Sequence, residues 1–557
     1  MDRILTLIRV VFDGLHPIGV ALGSLFIAAS LTPSLLPRPT VIQGLLSGIA
    51  LAGGYGIGVL SVLIWNYLHL PVLPESKRRI LLRAALLICG VLILVSLWRA
   101  AQWQNSIRVL MGMEPLTSAQ PLTLGAIALT IFGVTLILAR LFLRLKLAIA
   151  VKLQRFPKPR ASKLVGFGIS LWIYWMIANG FLIRLTMRTI DRSFQQLDAM
   201  IDDQLPVPSE ATLTGSTESL IAWADLGNQG RRFVSTGPSA SELKDFFGEE
   251  CPAPIRVYVG LNCAETVELR AQMALDELIR VGGFERSLLI IATPTGTGWV
   301  DPGSQDTVEF LHRGDVATVS VQYSYLNSPL TLLTNAEYGA KMAEELFEKI
   351  YGHWRTLPKE NRPRFFLSGL SLGSLNSDRS FQLFDIIDDP IDGALWIGPP
   401  FMHKTWRQAT DYREVSSPAW LPRFRQGNVV RFMNQQSDFA TNPQGWGSFR
   451  IGFLQHASDP IVFFEPGAAW REPSWMKHPR GPDVSPELRW FPVVTMLQLA
   501  ADMIVGTAPA GFGHNYSANE YLTAWFGLTE PQGWSVEELE RLQNYFCPST
   551  SERTSAP

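Results

Sequence analysis

The chain has 557 residues with 48 basic against 49 acidic side chains, so it exerts no net pull on nucleic acid or other highly charged partners. Hydrophobic residues make up 47% and charged residues 17%, below the roughly 25% usual in soluble domains, and the mean hydropathy is +0.14. Intrinsic disorder, a collagen-like fibre and a small disulfide scaffold are excluded, and the averages fit a soluble domain joined to a membrane region.

The charges are unevenly spread. Between Asp13 and Arg38, and over Pro39–Pro74, Pro115–Ala139 and Leu164–Ile183, there is no Asp, Glu, Lys or Arg, and Ile80–Trp98 holds only Arg83. Each stretch is long enough to cross a hydrocarbon core of roughly 30 Å, which takes about 20 residues in a helix. Five of them within the first 190 residues predict an N-terminal all-α bundle of about five transmembrane helices over residues 1–190. Arg3 and Arg9 precede the first, as in a signal peptide. It lacks a small-residue cleavage site, however, and outruns the roughly 7–15-residue apolar core of such a peptide, so a retained helix is expected.

Orientation follows from the basic residues in the connections. One side collects Arg3, Arg9, Lys77, Arg78, Arg79 and the dense group from Arg140 to Lys163, thirteen in all, against six on the other, from Arg38 to Arg192. The N-terminus is therefore expected in the cytoplasm, and after five crossings everything past Arg192 outside it, in a multi-pass protein of the cell (inner) membrane. In the second apolar stretch Gly54 and Gly58 have GxxxG spacing. This permits close helix contact within the chain or, less favoured, a homo-oligomer through the membrane helices. No charge falls deep in an apolar stretch, which argues against an ion or proton pathway.

From Asp191 to Glu250 the chain turns polar and rich in Ser, Thr, Gly and Pro, as in a linker leading into the next domain. Over 251–547 short apolar runs alternate with helical periodicity. Strands are expected at Ile255–Leu261, Ser287–Thr293, Val316–Tyr323, Arg364–Ser368, Gly393–Ile397, Val429–Met433 and Arg450–Gln455. Helices are expected at Ala264–Val281 and Asn335–Tyr351. The alternation predicts a mostly parallel sheet covered on both faces. Residues 548–557 read as a disordered tail.

Directly after the fourth predicted strand comes Gly369-Leu370-Ser371-Leu372-Gly373, the G-x-S-x-G pattern of a nucleophile elbow. Five residues are a weak signal alone; the place at a strand's end, opening a helix, gives it weight. An elbow implies partners in the order Ser, acid, His. His514, in a Gly-rich loop just before the last expected helix, is the expected base, with His478 as rival among the eight histidines. Asp459, just past the last strand and before Pro460, is the expected acid, with Asp438 and Asp502 as rivals. The oxyanion hole is expected from the backbone amides of Leu372 and of Gly296 or Thr297, in the loop Pro294–Trp299. The bland alternatives are a turn-initiating Asp-Pro, an exposed loop histidine and a Gly-rich turn.

On the elbow, Pro294–Asp301 (PTGTGWVD), Gln455–Ile461 (QHASDPI) and Gly513-His514, the sequence resembles bacterial α/β-hydrolase proteins with an N-terminal multi-helix membrane region. The resemblance spans most of the chain and implies Ser371, Asp459 and His514 as the triad without supplying a substrate. A helix between the first two strands departs from the usual hydrolase order, where a hairpin is expected.

No cofactor is expected, and no metal, since Cys89, Cys251, Cys263 and Cys547 lack zinc spacing. Cys251 and Cys547 form the more plausible disulfide pair if the domain lies outside the cytoplasm. The expected activity is a membrane-anchored serine esterase on lipidic or hydrophobic esters, with the bilayer and a small-molecule or lipid ester as partners and no nucleic acid. The alternatives are acyl transfer to a lipid or glycan acceptor through the same triad, and a non-catalytic receptor or scaffold. Insertions at Phe401–Arg425 and Ala468–Arg489 carry Trp406, Trp420, Trp470 and Trp475, suited to an acyl pocket, a lid or plain packing.

Overall fold

A computed structural model describes residues 12, 14–71, 74–152, 159–176, 198, 205–326, 336–441, 445–505 and 508–547. The chain forms two compact units. One comprises Met1–Thr189, Phe464–Met476 and Pro482–Thr507; the other comprises Ile190–Phe463, Lys477–Gly481 and Ala508–Pro557.

The first unit is helical: α1 (Pro17–Ser30), α2 (Thr40–Tyr67), α3 (Glu75–Arg108), α4 (Pro121–Lys152) and α5 (Pro159–Trp175). Thr40–Tyr67, Glu75–Arg108 and Pro121–Ile149 are long and apolar enough to cross a membrane. Leu63, Leu87, Leu94 and Trp98 are all more than half exposed on them, an apolar surface that suits lipid better than water. Three described helices, rather than about five, meet that length. The first charge-free stretch folds as the 14-residue α1 and then a loop, because Pro33, Pro37 and Pro39 disfavour helical backbone in the residues before them. Apolar sequence after α5 runs beyond the described residues, as do Arg3, Arg9, Arg155, Lys158, Arg184, Arg188 and Arg192 of the orientation argument. Gly54 and Gly58 pack inside the unit, where a Cβ on either would come within 2.9 Å of the α1 backbone at Gly23 and Gly19.

In the second unit, the 205–250 part of the expected linker carries α6 (Gly227–Ser235) and α7 (Ala240–Phe247). Phe233 of α6 packs on Tyr258, and Phe246 of α7 meets Phe310 edge-on at 5.5 Å. Then follow β1 (Ile255–Val259), α8 (Val267–Arg280), β2 (Leu288–Thr293), α9 (Pro302–Leu311), β3 (Val316–Val321), α10 (Ala336–Thr356), β4 (Arg364–Leu370), α11 (Leu372–Asp378), β5 (Gly393–Ile397), α12 (Lys404–Asp411), β6 (Val430–Met433) and β7 (Arg450–Leu454). After α13 (Val494–Val505), which belongs to the first unit, α14 (Ala518–Thr529) and α15 (Val536–Phe546) close the second.

The seven strands form one sheet in the order β1-β3-β2-β4-β5-β7-β6, with every pairing parallel. The strands are buried along nearly their whole length, as in sheets covered on both faces. Helix α8 takes the place of the usual hairpin: β1 crosses over to pair with β3, so the early half of the sheet is parallel too. One buried core joins the sheet residues Leu288, Ile290, Phe366, Leu395 and Leu454 to Tyr516, Tyr521 and Trp525 of the C-terminal segment.

All four cysteines are free, with Cys251 buried and Cys547 exposed, so the expected pair is not formed. Trp406 of α12 is buried against Phe463 and donates to Gln455 Oε1 at 2.6 Å, which is packing rather than a pocket wall.

Candidate active site

A parallel sheet sends the carboxyl ends of its strands to one edge, and β2, β4, β5 and β7 are consecutive neighbours there. The loops leaving these strands therefore converge, which is where ligands bind in open α/β sheets.

Ser371 is the hinge between β4 and α11. Its backbone sits at φ 56°, ψ −123°, a region that non-glycine residues avoid, and its N–H is tied to Ile397 O of β5 at 2.9 Å. The flanking glycines are required by space. A Cβ at Gly373 would stand 2.2 Å from Thr293 O, and one at Gly369 would stand 2.5 Å from the backbone of Gly373. Leu372 is the first residue of α11, so its N–H lies outside the helix's own ladder and near its positive end.

Asp459 follows β7 and is fully buried. Its Oδ1 accepts from Ile461 N at 2.8 Å, and its Oδ2 accepts from His514 Nδ1 and from Tyr516 OH, each at 2.7 Å. With Nδ1–H committed to the carboxylate, His514 Nε2 is left with the lone pair of a base. That nitrogen is buried and has no hydrogen-bond partner. The His514 ring lies against Gly398 at the end of β5, where a Cβ would come 2.5 Å from Cε1.

In the loop after β2, Gly298 N closes a turn onto Thr295 O at 2.9 Å, which presents Gly296 and Thr297 at its tip. Tyr258 OH donates to Gly298 O at 2.7 Å, and Gln322 Nε2 donates to Thr297 O at 3.2 Å, so the turn is braced from β1 and from the residue after β3. Asp301 of the same motif caps α9 by accepting from Gly303 N, and it also accepts from Tyr521 OH.

The rivals lie elsewhere. Asp502 is in the first unit, paired with Arg38 at 2.7 Å. Asp438 follows the edge strand β6, two places beyond β5. His478 is exposed.

Three residues that were not singled out in the sequence stand behind the His–Asp pair. His456 is fully buried, with Nδ1 at 2.8 Å from Gly513 O and Nε2 at 2.6 Å from Glu520 Oε1. Tyr516 stacks on its ring at 4.3 Å. Burial pushes the Glu520 carboxyl up, but His456 and the Ser517 backbone outweigh it and hold it below its ordinary value. Burial, followed by the Asp459 charge, keeps the Tyr516 hydroxyl protonated far above its usual range, so it donates. The Ser517–Glu520 spacing was legible as a helix-capping box.

A positive-φ serine after the middle strand of a seven-stranded parallel sheet, with a His–Asp pair past the strand two places on, defines the α/β-hydrolase arrangement. Residues 255–542 match the family described as "Alpha/beta-hydrolase family", and residues 31–238 match "Alpha/beta-hydrolase family N-terminus"; the chain belongs to this family. No curated protein matches it. A solved structure from work on LipS and LipT, two metagenome-derived lipolytic enzymes, aligns at 11% identity over 31% of this chain and 86% of that one. The TM-score of that alignment is 0.17.

Proposed function

We propose that the protein is a membrane-anchored serine hydrolase that cleaves carboxylic esters through an acyl-enzyme. The observation that carries this reading is the pairing, at the carboxyl end of β5, of a strained Ser371 tied to Ile397 O with a histidine against Gly398 whose Nδ1 is fixed by a buried carboxylate and whose Nε2 is unpartnered. Ser371 Oγ attacks the acyl carbon while His514 Nε2 takes its proton. Asp459 stabilises the imidazolium that results, without itself taking the proton. The amide of Leu372, with that of Gly296 or Thr297, holds the oxyanion. His514 returns the proton to the departing alkoxide, and water then repeats the sequence on the acyl-enzyme with no cofactor. Hydroxyl-to-imidazole contacts of this kind tighten when substrate binds, which fits the unpartnered Nε2 of the free protein.

The three apolar helices suit a membrane anchor and favour lipidic or hydrophobic esters as substrates. In this reading the N-terminus is cytoplasmic and the hydrolase unit lies outside the cytoplasm, in the inner membrane of a bacterium.

The test is labelling of the purified full-length protein by a fluorophosphonate probe. Labelling of wild type that disappears in both Ser371→Ala and His514→Ala is the expected result. A folded wild type that does not label overturns the proposal.

A further inference from the structure

His456 has acceptors at both ring nitrogens. A carbonyl oxygen can only accept, so Nδ1, facing Gly513 O, carries a proton. Nε2 faces Glu520 Oε1, and the other carboxylate oxygen already accepts from the N–H and hydroxyl of Ser517. The ring is therefore an imidazolium bridging a carboxylate and a backbone carbonyl, a charge-assisted arrangement.

That carbonyl belongs to the residue just before His514. The N–H of the same Gly513 donates to Ser458 Oγ at 2.9 Å. The stretch 456–459 thus holds the histidine loop at three points: His456 on the Gly513 carbonyl, Ser458 on the Gly513 amide, and Asp459 on the His514 ring. Gly513 has φ 57°, a left-handed conformation that leaves the loop dependent on such contacts. Tyr516 closes the circuit, stacked on His456 and hydrogen-bonded to Asp459.

We propose that His456 and Glu520 are a positioning pair for the general base, with the His456–Gly513 bond fixing His514 and the Glu520 charge balancing the imidazolium behind it. This rests on the triad reading above. Neither residue touches the reacting atoms.

The charge balance supplies a readout that packing alone would not move. Among the described residues, the titratable groups facing the pair include Asp459 on its own stretch, His514 and Tyr516 on the facing loop, and Tyr521 on α14 with its partner Asp301. On its other side Glu520 borders a cavity whose described lining includes Asn434, Gln435, Ser437 and Asn519 and, among those described residues, no other ionisable side chain. In His456→Asn the Glu520 carboxylate loses its counter-charge. An unbalanced negative charge favours protonated His514, so the base is lost at higher pH.

The experiment is the fluorophosphonate labelling rate against pH, with folding checked by thermal midpoint. His456→Asn is expected to label about 10- to 100-fold more slowly, with its acid limb raised by roughly half a pH unit. Glu520→Gln leaves a neutral imidazole still donating to Gly513, so labelling slows by less than about tenfold and the limb stays at the wild-type position. The double variant His456→Asn/Glu520→Gln returns the limb to wild type while its rate stays low. An unmoved limb in His456→Asn, or a double variant whose limb stays with His456→Asn, overturns the proposal. If His456→Asn does not fold, a displaced limb in Glu520→Gln, or labelling as weak as in His514→Ala, overturns it instead. Failure of wild type to label sinks the triad itself. Labelling that depends on Ser371 and His514 but keeps its rate and limb in His456→Asn sinks only this inference.

Discussion

Where His514 meets Gly398, the site depends on a missing methyl group. Gly398 has φ 51°, and a Cβ there would stand 2.5 Å from His514 Cε1 and 2.9 Å from Nδ1. Gly398→Ala should push the ring off its line to Asp459 and lower the fluorophosphonate labelling rate by about tenfold or more, because small misplacements of a base are costly. Thermal unfolding should shift only modestly. A normal rate would show that the ring can yield without losing its alignment. A second residue-scale consequence concerns His403, which is fully buried, accepts from Trp406 N at 3.2 Å and has its pKa lowered to about 4, by burial first. The unfolded chain binds a proton at this group below its ordinary value of 6.5 and the folded chain does not. Its contribution is therefore complete above pH 6.5 and is lost as pH falls towards 4. The shift corresponds to roughly 3 kcal/mol. His403→Asn keeps an acceptor for the helix N-terminus, and thermal midpoints of this variant should fall less between pH 7 and pH 4.5 than those of wild type. Parallel curves for the two proteins would rule the contribution out.

Close contact between helices follows from the same geometry of missing side chains. Helices α1 and α2 meet glycine against glycine, with Gly54 and Gly58 on one side and Gly23 and Gly19 on the other. Gly58→Leu should separate them and cost stability by overpacking, on the order of 1–3 kcal/mol, whereas Gly53→Leu or Gly56→Leu should not, because nothing lies within 4 Å of a Cβ there. Equal loss in all three, measured by thermal unfolding in detergent, would contradict this packing. The same element scale explains what could be read from sequence. Strands such as Gly393–Ile397 and Leu288–Thr293 are continuous apolar runs bounded by turn residues, and their positions were legible to within a few residues. The elbow was legible because its glycines are a spacing constraint on the chain itself. Helices α6 and α7 were not legible, because nine and eight residues flanked by Gly, Ser and Pro give too little periodicity to separate from a linker. The pairing of β1 with β3 was equally hidden, since strand order is set by crossovers rather than by any one segment. His456 and Glu520 escaped because their function lies in contacts 57 and 64 residues apart in the chain.

At the scale of the whole molecule, the division into units does not follow the chain. Helix α13 lies more than 300 residues after α5 and is part of the unit formed by the N-terminal helices. Its Asp502 is the reason that matters energetically. The carboxylate receives Arg38 Nε at 2.7 Å and the amides of Leu35 and Leu36 at 3.1 and 3.4 Å, and both charged side chains are wholly buried. Arg38 also donates from its two terminal nitrogens to Gln43 Oε1 and Ser34 Oγ, and its own amide donates to Gln104 Oε1. A buried pair of this kind adds little over an apolar pair of the same volume, but removing one partner leaves an uncompensated charge that costs about 3–5 kcal/mol. Asp502→Ala in the full chain should therefore unfold at markedly lower temperature in detergent, while Arg38→Met/Asp502→Leu recovers most of the loss. A fragment ending at residue 190 contains Arg38 without Asp502, so it should be degraded or aggregate unless Arg38 is also changed to Met. If Asp502→Ala unfolds like wild type, or the double variant is as unstable as the single one, α13 is held by its apolar face alone and the ion pair is incidental.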